Sequence, residues 1–179
     1  MEYEYELKRL ESIERLRGMI DKIKTAMFTT YSPTEGFHSR PMGTAQLDVD
    51  GNLWFFTNEF STKMAEISAE NKVLVTYADT ERNSYISITG HVYVSDDRAK
   101  IQELWSPVLK FFFPLGIDDP KLALIRIDTE HAEYWDTSTS QIVILFKRIK
   151  AVLKGETYEK DEHREVDFKI QADEHLPFL

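Results

Sequence analysis

The chain has no cysteine among its 179 residues. That excludes disulfides, thiol catalysis and thiolate-held metal centres. Positive charge is scarce as well: 22 Lys and Arg stand against 31 Asp and Glu, a net charge of -9. A nucleic-acid surface needs many cations on one face to release counterions, and an anionic membrane asks for the same sign, so neither partner is expected. Long apolar runs are missing too. No stretch approaches the roughly 20 residues of a membrane-spanning helix, and the acidic start MEYEYELKRLE does not read as a signal peptide. The expected compartment is the cytoplasm. The chain also lacks a G-x-S-x-G elbow, a P-loop and a G-x-G-x-x-G run, so hydrolase, kinase-type and Rossmann sites find no support. His38, His91, His131, His163 and His175 lie too far apart for a local metal pair, and no metal is expected. His91, which follows Gly90 in a strand, is the histidine to watch.

What is present suits one folded domain over residues 1–179, with 42% hydrophobic residues to fill a single core. Leu7, Leu10, Ile13, Leu16, Ile20 and Ile23 recur at spacings of three and four, which predicts an amphipathic helix over about 3–23. Strand patterns follow from residue 25 to 135: 25–31, 37–47, 53–57, 72–78, 85–95 and 122–135, with turn signals at Ser32-Pro33-Thr34-Glu35-Gly36 and Asp50-Gly51. In the second strand His38, Arg40, Met42, Thr44 and Gln46 share a face, and Pro41 calls for an edge or a bulge. In the fifth, Ile86, Ile88, Val92 and Val94 share a face. Helices are expected over about 62–69, from the Asp96-Asp97 cap to about Leu109, and over about 138–154, with a weakly structured tail or short edge strand beyond. Asp118-Asp119 reads as a turn. Strands in hairpin order, with helices at both ends and one inserted, predict an α+β fold, mainly β, built on a small antiparallel barrel.

One segment stands out against the acidic background. The strand LWFFTN ends in Thr57-Asn58 and turns into Ser61, Thr62 and Lys63 at a helix start. Free N–H groups and the positive dipole end favour an anion at such a place, and phosphate is the likeliest anion for hydroxyls, an ammonium and the fork of Arg40. On spacing alone a plainer alternative stands ahead: a capped surface helix, with Lys63 solvated and Arg40 in a surface ion pair. The aromatic run Phe111-Phe112-Phe113-Pro114 is open in the same way, between core cover and a dimer contact.

Several segments, taken in order, carry a resemblance: HSRPM at 38–42, LWFFTNEFSTKMAEI at 53–67, NKVLVTYAD at 71–79, SYISITGHVYVSDD at 84–97 and LKFFFPLGIDDPKLALIRIDTEHAEYWD at 109–136. Together with KAVLKGE at 150–156 they resemble the pyridoxamine 5'-phosphate oxidase-like split barrels, in particular their general stress protein branch. The resemblance implies a six-stranded antiparallel split β-barrel with flanking helices, a homodimer, and FMN (or FAD) at the subunit interface. It implies that Arg40 meets the flavin or its phosphate and that the strand Arg40, Pro41, Met42 to Thr44 runs beneath the ring. Thr57, Asn58, Ser61, Thr62 and Lys63 would form the phosphate turn, with Trp105, Tyr134 or Trp135 reaching the ring from the partner subunit. It moves the phosphate reading of Lys63 ahead of the plainer one.

One departure bears on activity. Where the oxidases carry R-x-V-L-L-K, this chain has Arg40-Pro41-Met42-Gly43-Thr44-Ala45, so the Lys position is Ala45. Their C-terminal Arg-Leu-x-Pro signature and Arg-x-His pair are missing from 151–179. Vitamin B6 oxidation is therefore not expected, and no catalytic acid or base stands out. A flavin-dependent oxidoreductase of unknown substrate, a flavin-binding stress protein without turnover, and a barrel holding deazaflavin or haem remain open. Haem would need an imidazole from His38 or His91.

Overall fold

The computed structural model describes residues 2–58, 64, 66–67, 70–136 and 163–167. The elements run α1 (Glu2–Ile23), β1 (Thr25–Ser32), β2 (Gly36–Leu47), β3 (Leu53–Asn58), β4 (Lys72–Asp79), β5 (Ser84–Ser95), α2 (Arg98–Leu104), β6 (Leu122–Asp136) and β7 (His163–Asp167). The strands lie in the order β3-β2-β1-β4-β5-β6, and β3 pairs back onto β6 to close a six-stranded antiparallel barrel. The split-barrel expectation is borne out. The long β6 serves two neighbours on one edge: Leu122–Ile127 pair with β3, and His131–Trp135 pair with β7. The tail thus supplies the short edge strand that was one of its two readings. The helix expected over 138–154 lies outside the described residues.

Alternation builds the core. Ala26 and Phe28 of β1, Val73, Val75 and Tyr77 of β4, and Ile86, Ile88 and Val92 of β5 are all buried, while their odd-even neighbours face out. The α1 residues Ile13, Leu16, Met19 and Ile20 join the same cluster. Arg17 ties the helix to the β2–β3 hairpin through the carbonyls of Leu47 (3.0 Å) and Asp48 (3.1 Å). On the far side Arg15 donates to the buried Asp136 at 3.0 Å. Lys24, at φ 64°, ends the helix with its N–H on the Ile20 carbonyl. The predicted stripe is too long, however: Leu7 and Leu10 are exposed.

Two further expectations change. The helix predicted to reach Leu109 stops at Leu104, capped at its start by Asp97, and a 3-10 turn follows over Pro107–Phe111. Pro107 disfavours helical backbone at Ser106, and Trp105 leaves the helix to pack edge-to-face on Phe56 at 6.1 Å. Val94 is exposed rather than buried, because β4 begins opposite His91 and β5 runs past the end of its neighbour. Among the described residues no helix is long and apolar enough to cross a membrane.

Candidate functional site

The barrel has one loosened seam. β2 pairs with β3 only at Thr44↔Phe55, Gln46↔Trp54 and Leu47↔Leu53, with a bulge at Ala45. Among the described residues, 36–43 of β2 pair with β1 alone, whereas β3 runs on to Asn58 beside β6. The Thr44 N–H donates to Lys24 O, so the even positions of β2 carry the ladder to β1 and the odd ones face the open edge. Pro41, which has no N–H to give, sits at an odd position opposite Met27. This is the edge placement its residue type demands; the bulge lies four residues further on.

The side chains of His38, Arg40, Met42 and Thr44 share a face, as the alternation predicted, and it is the inward one. Met42 is buried, and the Thr44 hydroxyl shares a 2.8 Å hydrogen bond with the Tyr77 hydroxyl. Burial pushes the Tyr77 phenol well above its ordinary range, against a smaller opposing effect of the Thr44 bond. What Pro41 and Gly43 offer on the outer side is backbone and small side-chain volume; a Cβ built on Gly43 meets nothing within 4 Å.

A cluster that the strand pattern did not reveal closes the inner side of the seam. Met64, Glu66 and Ile67 are helical, and the Glu66 carboxylate accepts from Arg40 Nη2 at 2.9 Å and His38 Nδ1 at 2.6 Å. The Thr30 hydroxyl also donates to it, and Arg40 Nη1 donates to Thr30 Oγ1 at 2.8 Å. Burial acts to raise the Glu66 pKa, but the bonds from Thr30, His38 and Arg40 and the Arg40 charge outweigh it and lower the pKa to about 2. The carboxylate is ionised at any ordinary pH. Arg40 spends two of its five N–H groups here, and its side chain keeps a quarter of its surface exposed. Arg40 is therefore in an ion pair, as the plainer expectation had it, but with a largely buried carboxylate rather than at the surface, and the pair leaves donors for a ligand.

The other predicted site residues are dispersed. Thr57 is buried and Asn58 exposed at the end of β3, at the mouth of the seam. Ser61, Thr62 and Lys63 lie outside the described residues. Trp105 is engaged with Phe56 of its own chain, and Tyr134, only 1% exposed, is turned into its own core with Arg15 stacked on it at 5.8 Å. That burial removes Tyr134 from the residues able to reach a partner's ligand. Trp135 is half-buried on the outer face, opposite Tyr85. His38 has carboxylates at both ring nitrogens, Glu66 and, at 3.5 Å, Glu35. His91 stands between Asn71 Oδ1 (3.0 Å) and Glu130 (3.2 Å). Neither imidazole is poised for haem, and among the described residues no group of three His, Asp or Glu could hold a metal.

A closed six-stranded barrel with one parted seam defines the split-barrel class. The family model for pyridoxamine 5'-phosphate oxidase-like proteins matches residues 11–159, and the chain belongs to that family. The chain is similar to a putative general stress family protein of Xanthomonas campestris, at 30% identity and TM-score 0.62, over 73% of this chain and 90% of that one. It is also similar to the general stress FMN/FAD binding protein of Xanthomonas citri, at 29% identity and TM-score 0.63, over 73% and 92%. The putative general stress protein 26 of Jannaschia shares the fold at 24% identity, with TM-score 0.69 over 87% and 94%. Protein bli-3 of Neurospora crassa is 26% identical over 143 residues, 74% of this chain and 68% of bli-3.

Proposed function

We propose that the chain is a flavin-binding protein of the general-stress type, a homodimer that holds FMN beside the open β2–β3 seam where two copies meet. The parted seam is the observation that carries this reading. Among the described residues it leaves the β2 edge at 36–43 without a strand partner on the β3 side, with Arg40 on β2 and Thr57 and Asn58 at the end of β3, and Ser61, Thr62 and Lys63 follow in the sequence. The residues fit the group: a flat ring can approach backbone at Gly43, and the Arg40 guanidinium suits a phosphate. The similarity to an FMN/FAD binding protein supports the same reading.

The outer sheet face supports the dimer. Alternate residues 25–29 of β1, 39–43 of β2, 74–78 of β4 and 85–89 of β5 form a block of neighbouring outward positions, three from each strand. None is charged, although 30% of the chain is. Met27, Leu74 and Tyr85 lie there exposed at 42%, 36% and 38%. Depletion of charge is the compositional mark of an interface centre.

A bound flavin supplies electron acceptance and return at its ring; the protein supplies binding, orientation and exclusion of water. In a flavin-dependent oxidoreductase of this kind Arg40 and the Lys63 turn would hold the phosphate, and the Gly43 backbone would face the ring. One observation favours flavin held without turnover: Glu66, His38 and Arg40, three titratable groups beside the seam among the described residues, are bonded together around the Glu66 carboxylate, and position 45 is Ala. Incubation with FMN and desalting should leave a visible flavin band at about one FMN per subunit. A colourless protein overturns the reading. Lys63→Ala should weaken FMN by roughly ten- to hundredfold and riboflavin far less, since only FMN carries the phosphate. Anaerobic NADH or NADPH separates the two versions: bleaching of the bound flavin supports turnover, and persistent colour supports holding.

A further inference from the structure

Between β5 and β6 the chain crosses the outside of the barrel. Lys100 of α2 stands over the Trp54 ring at 5.4 Å, and Trp105 meets Phe56, so the crossing reaches β3. It ends at Leu122, which pairs with Asn58. Residues 106–121 are thus fixed at both ends to the part of β3 that β2 has left. The loop is ordered in between. The N–H groups of Leu109, Phe112, Gly116 and Asp119 close successive turns, and Arg98 Nη1 holds the Ile117 carbonyl at 2.7 Å. The buried Asp119 accepts from the N–H groups of Leu115 (3.3 Å) and Lys121 (3.0 Å). On this ordered frame Val108, Phe111, Phe112 and Leu115 are each exposed by two-thirds or more. Apolar side chains held out on a fixed loop mark a contact surface, and their order lowers the entropy cost of using it.

The other bank of the seam supplies a matching surface. In the register of Thr44↔Phe55, residues 41–43 of β2 stand level with 56–58 of β3. The uncharged outer face of β2, β1, β4 and β5 therefore begins across the seam from the loop, with Ser39, Pro41 and Gly43 along its border. Within one copy the two surfaces lie on opposite banks. A two-fold axis at the seam sets the loop of each copy on the face of the other, a self-complementary contact. Exposed at 84% and 67%, Phe111 and Phe112 offer roughly 300 Å². Each copy would bury its own rings and the patch that receives its partner's, on the order of 600 of the about 800 Å² per partner that a stable interface needs. A membrane is disfavoured as the occupant by the net charge of -9.

We propose that Val108, Phe111, Phe112 and Leu115 form a clasp that seats on the uncharged outer face of a second copy of this chain. The inference rests on the dimer reading above and names what one copy holds of the other; it does not depend on a bound flavin.

The chain has no cysteine of its own, so introduced ones report the contact directly. Two differently tagged forms are co-expressed, one with Leu115→Cys and the other with Ser39→Cys, Thr76→Cys or Ser87→Cys in turn, and treated with a short bismaleimide. The clasp expects a crosslink between the tags from at least one face position and none from Val49→Cys, at the far turn of β2 and β3. Sedimentation should show a wild-type dimer whose dissociation constant rises about hundredfold or more in F111S/F112S. Met27→Lys, which puts a charge on the receiving face, should act the same way and carries the test if the loop variant does not fold. A dimer that gives no crosslink from any face position overturns the clasp and leaves the dimer reading intact. Wild-type dimer affinity in F111S/F112S overturns it too. A monomeric wild-type protein removes the dimer reading, and the clasp with it.

Discussion

The two sides of this barrel are held by different means. On the β4–β5–β6 side, backbone ladders run from Lys72↔His91 to Asp79↔Ser84 and from Ser84↔Asp136 to Ser95↔Leu124, with a single bulge beside Gly90. On the other side β2 and β3 share a few pairs, bulge at Ala45 and separate, and beyond the bulge the side chains of β2 are met by the Glu66 carboxylate. A backbone ladder is insensitive to side-chain identity except where two backbones come too close. A side-chain bridge can be removed by one substitution or one proton. The sturdy side is therefore scaffold, and the side that depends on particular residues is the one next to the proposed ligand.

Three measurements bear on that contrast. The largest effect belongs to the ladder side at its one point of close approach. A Cβ on Gly90 would stand 2.3 Å from the Asp128 carbonyl oxygen and 2.9 Å from the Ile127 side chain, so Gly90→Ala should cost about 3 kcal/mol or more in a denaturant titration. A loss below about 1 kcal/mol would mean that the ladder side yields more easily than the pairing suggests.

Next comes the seam, through pH. The folded-state pKa of Glu66, about 2, lies below its ordinary 4.5, so its contribution to stability is fully present above about pH 4.5 and is lost as pH falls toward 2. Between about pH 6 and pH 3, wild type should lose on the order of 1–2 kcal/mol more than Glu66→Gln, allowing for solvent screening. Parallel acid curves for the two proteins would remove the charged bridge from the account of the seam.

The smallest effect on the subunit's own fold is expected outside the barrel wall. Phe111, 84% exposed, should tolerate Ser within about 0.5 kcal/mol of subunit stability, whereas Phe113, 5% exposed two residues on, should not. Core cover, one of the two readings of that aromatic loop, thus applies to Phe113 alone.

The strands and turns of both sides were legible in the sequence. Strand alternation and turn chemistry are local: Gly36 and Gly51 occupy left-handed backbone at φ 84° and 88°, where the turn signals place them. That His38, Arg40, Met42 and Thr44 share a face followed from period two alone; that the face is the inward one did not. The seam was less legible because it depends on partners far along the chain. β3 leaves β2 to follow β6, some 70 residues later, and Glu66 meets Thr30 and His38 across 36 and 28 residues. No local periodicity encodes such meetings. Leu7, Leu10 and Val94 misled for a related reason: each keeps its period beyond the point where a neighbour is there to cover it. At the site, Arg40 and the Thr57-Asn58 turn were readable as residue types, whereas the carboxylate that organises Arg40 was not singled out.

The double duty of β6 has a consequence for synthesis on the ribosome. Leu53 of the apolar LWFF run pairs with Ile127, so the barrel cannot close until the chain through β6 has left the exit tunnel. For all that interval a hydrophobic strand waits with one edge unpaired, the kind of exposed segment that aggregates or recruits chaperones. The vulnerable period in the life of this protein is thus its birth, and slowing translation between the codons for residues 58 and 122 should lengthen it.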